Sequence, residues 1–396
     1  MTAERDALIS GIGLVSCLGE GLEAHWSALN APGGFSPVVE TTRFAPYNVH
    51  PMAQLAFDQQ IPKRGDQRQM ESWQRIGVHA AGLALDSAGV KGNAELLGRM
   101  DMIVAAGGGE RDYAADEAIL RDLRQASDAA GVLNARLQSD LRPTLFLAQL
   151  SNLLAGNVSI VHGVVGSSRT FMGEEAAGAD AVRIASARIA AGQGDLFLVG
   201  GSYNAERPDI LLLFELGHRL WKRPFLPVWA RQREGGGLIP GSVGCFLVIE
   251  SRAHAARRGV APLARIAAVA TDRSRRRPGE ATRNAERQLS AMLPHHSDTG
   301  TAVISCACGL NAATTEEAAF LSNLGLPVRG ITTALGHPVE ASFLAGLVLA
   351  ATAVHRGRLF APLEPSEAAM EAPLAQALVT SWGLWRGEAL ALVTKA

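Results

Sequence analysis

One ordered run of strand-like and helix-like segments, gone through twice, constrains this chain more than any single motif. Ala7–Ser16 reads as a strand, and Leu22–Leu29 as a helix closed by Pro32-Gly33-Gly34. Glu71–Ala88 is a long helical pattern with apolar residues recurring every three and four positions. Asp101–Ala106 is an apolar strand running into Gly107-Gly108, Ala176–Ala191 an Ala/Ile/Val helix, and Asp195–Val199 an apolar strand ending at Gly200-Gly201. The pattern then restarts. Leu263–Ala270 and Thr301–Cys308 read as strands, and Thr314 with Glu317 is spaced as a capping box for the next helix. Pro338 sits where a first turn would open the apolar helix Val339–Arg356. Leu378–Gly383 and Glu388–Val393 read as two closing strands joined by a tight turn. Strands apolar along their whole length and bracketed by helices predict a parallel sheet covered on both faces. The order predicts two successive α/β halves, 1–255 and 256–396, layered α/β/α/β/α. Residues 34–70 and 108–150, irregular and more polar, fit insertions at the rim.

Composition narrows the function. Apolar residues make up 47% and charged residues 19%, which supplies a large core. With 37 basic against 38 acidic side chains, nothing global favours nucleic acid or an anionic membrane. The opening MTAERDALISGIG carries charge where a signal peptide needs an apolar run. No 18-residue segment is free of polar interruption, so no membrane span and a cytoplasmic location are expected. Cys17, Cys245, Cys306 and Cys308 all lie in apolar surroundings, too few for a disulfide scaffold and suited to a reducing compartment. Cys306-x-Cys308 has no second Cys/His pair nearby, so buried strand cysteines are expected rather than a metal.

Taken in order, the segments resemble the β-ketoacyl-acyl-carrier-protein synthase family, which has the thiolase fold. ALISGIGLVSCLGEGLEAHWSAL matches that family's opening strand, turn and helix, and GSSRTFMGEEAAG at 166–178 its nucleophile segment. REGGGLIPGSVGCFLVIESRAHAARRG at 233–259 matches the glycine-rich loop, strand and helix, and ALGHPVEASFLAGL at 334–347 the second-histidine motif. The resemblance implies a duplicated, five-layer thiolase-like α/β fold. It also implies a nucleophilic Cys at a helix N-terminus, two His residues that polarise a malonyl thioester, and a supporting Lys. Counting back from AAGADAVRIASARIAAG, the nucleophile position falls on Glu175, with Gly178 three residues on. The first His position falls on Cys308, the Lys position on Thr332, and only the second His remains, as His337. The turn that gates the acyl pocket reads Gly383-Leu384-Trp385-Arg386.

Without a thiol at 175, the resemblance points to a chain-length-factor-like subunit. Such a subunit would pair with a Cys-bearing β-ketoacyl synthase and shape its acyl tunnel during chain elongation on an acyl carrier protein. GSSRTFMGEE looks most like the synthase-like subunit of aryl polyene clusters. No cofactor is expected, phosphopantetheine arriving on the carrier protein. Phe146, Gln149 and Leu150, in the Leu-rich stretch TLFLAQLSNLLAGN at 144–157, are candidates for the interface and tunnel, with Trp382, Leu384 and Trp385. The run Arg273, Arg275, Arg276, Arg277 is either a solvated loop or a contact for an acidic carrier protein. His337 either caps its helix or hydrogen-bonds the Glu175 carboxylate. Three alternatives stay open: a malonyl decarboxylase using His337 and Glu175, a condensing enzyme with its thiol moved to Cys308, and a stand-alone acyl-binding or scaffold homodimer.

Overall fold

The computed structural model describes residues 3–140, 147, 149–292 and 300–396. Its strands are β1 (Ala7–Ser16), β2 (Gly19–Glu20), β3 (Asp101–Ala106), β4 (Ser168–Met172), β5 (Leu196–Tyr203) and β6 (Val243–Ser251). The second half adds β7 (Ala264–Asp272), β8 (Thr301–Ser305), β9 (Val328–Gly330), β10 (Gln376–Trp382) and β11 (Glu388–Thr394). The hydrogen-bonded path runs β4-β3-β5-β6-β1 and then β7-β11-β10-β8-β9, with β2 folded back on β1. In the first five, β3 is parallel to β4 and β5, while β6 is antiparallel to β5 and β1. In the second five, β8 is parallel to β9 and β10, while β11 is antiparallel to β10 and β7. The order is the same in both, which is the duplication read from the sequence. Ala7–Ile9 pairing with Ala264–Ile266 joins the two.

The all-parallel expectation therefore fails at the centre. The strands are apolar throughout because helices cover both faces, whatever their direction. Between the two five-strand arrays lie the helices Ala176–Ala190 and Ser342–Arg356, each packed against strands of both halves. From Ser342 to Val354 every residue of the second helix is buried. Burying Leu344, Leu347 and Leu349 contributes roughly 1.5–3 kcal/mol each. Small residues bring the layers close: a Cβ on Gly346 would sit 2.5 Å from the Cys306 sulfur. The span Val339–Arg356 is long and apolar enough to cross a membrane, but it carries Glu340 and 89% of it is buried inside the protein. Outer helices complete five layers, Ser72–Ser87 and Leu153–His162 on the first array, Glu280–Met292 and Asn311–Leu324 on the second.

Several local expectations change. β5 does not stop at Gly200-Gly201 but continues to Tyr203. Those glycines permit close packing, since a Cβ on Gly200 would meet the Phe246 ring at 2.2 Å. β8 ends at Ser305, so Cys306 and Cys308 are buried in the loop beyond it. Pro338 precedes a 3-10 turn, Val339–Ala341, and the α-helix begins only at Ser342. The region 108–150 is not wholly irregular, because it holds the helices Tyr113–Gln125 and Ala129–Asp140.

Thr314 and Glu317 form no cap. The helix starts at Asn311, and both residues are buried within it. Glu317 accepts hydrogen bonds from the hydroxyls of Ser305 at 2.7 Å and Thr380 at 2.6 Å. Burial pushes its carboxyl up to about 7, against the pull of those hydroxyls. The folded chain then keeps a proton that the unfolded chain releases above its ordinary 4.5, so stability is full in acid and falls as pH rises towards 7. The loss expected from this group is about 2–3 kcal/mol. Denaturant midpoints taken at about pH 5 and pH 8 should lie closer together in Glu317→Gln than in the parent. An unchanged gap would contradict this account.

Candidate functional site

Two left-handed residues, Gly173 at φ 70° and Glu174 at φ 66°, turn the chain from β4 into the central helix Ala176–Ala190. They set Glu175 at the helix N-terminus, 1% exposed. Its Oε1 accepts from His337 Nε2 at 2.7 Å and from the Leu384 backbone N–H at 3.1 Å. Its Oε2 has no protein partner. His337 is fully buried and reaches this point from the other half of the chain. Its N–H donates to the Ile239 carbonyl at 2.8 Å, and its own carbonyl accepts from Gly241 at 3.3 Å. Only glycine fits at 241, where a Cβ would sit 1.8 Å from the Leu335 oxygen. The sequence left two roles open for His337, and the structure places it on the carboxylate.

The other two positions singled out by the resemblance are spoken for. Thr332 donates its hydroxyl to the Ala307 carbonyl at 2.5 Å. Cys308 is buried with its sulfur 3.9 Å from the Thr314 hydroxyl. Burial, and after it the charge of Glu175, pushes this thiol up to about 12. The turn at 383–387 is held on three sides. Glu175 takes the Leu384 N–H, Glu174 pairs with Arg386 at 3.1 Å, and Arg276 donates to the Gly383 carbonyl at 2.6 Å. Arg276 also pairs with buried Glu388 at 3.2 Å, so it clamps the turn rather than standing free in a solvated run. Arg273, Arg275 and Arg277 do remain exposed.

Beside the carboxylate opens a cavity of about 240 Å³. Trp385 stands at its mouth, stacked on Phe214 with ring centroids 6.5 Å apart. Trp382 does not reach it. At the end of β10 it points into the outer core, wholly buried against Phe320. Leu384 contributes its backbone N–H rather than a wall of this cavity. Gln149 and Leu150 line a separate open groove of about 700 Å³ alongside β4, the terminal strand of the sheet path. Phe146 lies outside the described residues.

The residue missed was Glu340. It lines the cavity, is 5% exposed, and faces Gly107, where a Cβ would meet its Oε1 at 2.5 Å. Burial, the charges of Glu175 and Glu174 adding to it against Arg207, pushes its carboxyl up to about 7. A signal was present, because Glu340 is the one Asp, Glu, Lys or Arg between Arg329 and Arg356. An acid in so apolar a run needs a reason.

Residues 4–255 match the family model for the β-ketoacyl synthase N-terminal domain. The chain belongs to the β-ketoacyl synthase family. It is 25% identical over 267 residues to 3-oxoacyl-[acyl-carrier-protein] synthase 2 of Vibrio cholerae, covering 65% of this chain and 60% of that one. To the ketoacyl synthase beta subunit of the tetracenomycin polyketide synthase of Streptomyces glaucescens it is 28% identical over 269 residues, 65% and 61% of the two. The matched part thus spans about three fifths of each relative's length. The ishigamide ketosynthase/chain length factor structure superposes with a TM-score of 0.79 at 18% identity, covering 99% of each chain. That likeness establishes the thiolase-like fold of this β-ketoacyl synthase homologue.

Proposed function

We propose that this β-ketoacyl synthase homologue is a catalytically silent, chain-length-factor-like subunit. It pairs in the cytoplasm with a Cys-bearing synthase and shapes the acyl tunnel during elongation on an acyl carrier protein. The narrower setting is a type II, fatty-acid-like pathway making aryl polyenes, on the strength of GSSRTFMGEE. The observation that carries the reading is Glu175, an acid hydrogen-bonded to His337 and Leu384 at the position that the family resemblance assigns to a thiol. A carboxylate is a poor thioester acceptor, and here both the histidine and the backbone donor that an oxyanion would need are engaged. The same engagement argues against a decarboxylase built on His337. Names of relatives that include a polyketide synthase beta subunit and a ketosynthase/chain length factor support the partner role.

The test is co-expression with a Cys-bearing paralogue from the same operon, followed by size analysis and product profiling. A one-to-one pair is expected, with product lost when the partner's thiol is replaced. An acyl group trapped on the isolated chain, read by mass spectrometry, would overturn the proposal.

A further inference from the structure

The cavity beside Glu175 has a chemistry that an acyl chain does not explain. Four of its fifteen lining residues are aromatic, Trp73, Tyr203, Phe214 and Trp385. At about 240 Å³ it is smaller than the ~300–1,000 Å³ of drug-sized sites, so its occupant is small. Most of the charges beside it are paired. Arg207 grips Asp209 at 2.7 Å, Glu174 holds Arg386, and Glu175 holds His337. Glu340 is left over. Nineteen-twentieths buried, it receives a hydrogen bond from its own backbone and from no other residue named in the structure. A buried acid at the wall of a cavity is costly unless something meets it.

We propose that this cavity binds a small organic cation, a primary amine with an aromatic or short apolar body. Its ammonium group pairs with Glu340, and its body lies against Trp73, Phe214 and Trp385. Three features favour a cation over a neutral or acidic ligand. Glu174 and Glu175 add negative potential from the side, aromatic faces attract ammonium groups, and a charge-assisted hydrogen bond is the strong way to satisfy a buried carboxylate. Trp385 already shows this preference on its outer side, where the Arg219 guanidinium lies 4.4 Å from the ring centroid. Anionic ligands, a malonyl carboxylate included, are repelled. The proposal does not depend on the pairing with a synthase put forward above.

Calorimetric titration of the full chain with phenethylamine, 2-phenylethanol and phenylacetate tests it. Phenethylamine should bind roughly tenfold or more tighter than the alcohol, and phenylacetate not measurably. Glu340→Gln should abolish that preference. Amine affinity should rise between about pH 6 and pH 8, as Glu340 ionises among Glu174, Glu175, Arg207 and Tyr203 while the amine stays charged. Trp385→Ala, a change at the surface that the fold will tolerate, should weaken the amine about fivefold and serves if Glu340→Gln is poorly folded. Equal binding of alcohol and amine, no binding of the amine, or an affinity indifferent to both substitutions would each overturn the proposal.

Discussion

Replacing His337 by Leu should destabilise the protein by about 3–5 kcal/mol, one of the largest single-residue effects available in this chain. The change removes the side-chain donor to Glu175, whose Oε2 already lacks a partner, and leaves a buried carboxylate with the Leu384 N–H alone. Stripping one member from a buried hydrogen-bonded pair is costly because the other keeps its desolvation penalty. Exchanging both members for apolar residues is close to neutral, so Glu175→Leu combined with His337→Leu should recover most of the loss. Denaturant midpoints of the two single variants and the double variant measure the coupling directly. Additive losses would mean that the 2.7 Å contact is incidental.

The native thiols should alkylate roughly a thousandfold more slowly than those of the unfolded chain at about pH 8, because only the thiolate reacts. Cys17 and Cys308 are both pushed up to about 12, chiefly by burial, and burial also raises Cys245 and Cys306. Cys308 is the decisive one. A working nucleophile needs a lowered pKa, and the charge of Glu175 moves this one in the wrong direction. Mass analysis after brief iodoacetamide treatment should find native protein unmodified and denatured protein carrying four adducts. Rapid labelling of Cys308 in the native state would revive the relocated-thiol alternative.

The sequence made the repeat legible because strand and helix lengths follow from local patterns of apolar residues. β1 and β3 have the expected bounds, and both central helices lie within a few residues of expectation. Strand direction is a property of the connections between strands, so the antiparallel centre did not show in the composition of any one strand. Glu175 and His337 could be named from motifs because each sits at a fixed offset from a helix. Their contact, 162 positions apart in the chain, follows from the N-terminal ends of the two central helices packing together, with Gly178 against Glu340 and Leu344. The Thr314/Glu317 spacing misled because Thr-x-x-Glu suits a helix start equally well as a buried polar triad closed by Ser305 and Thr380. Arg276 was read with its neighbours as surface charge. Its target, the carbonyl of Gly383, lies 107 positions later and leaves no mark on the local sequence.

The interlocking around the 383–387 turn works against installing a cysteine at 175. A cysteine placed at 175 by one change would strand the Leu384 N–H and the His337 ring, leave Thr332 tied to Ala307, and keep Arg386 bolted to Glu174. Each single change loses contacts. These residues hold one another in place, so the turn resists being altered one side chain at a time.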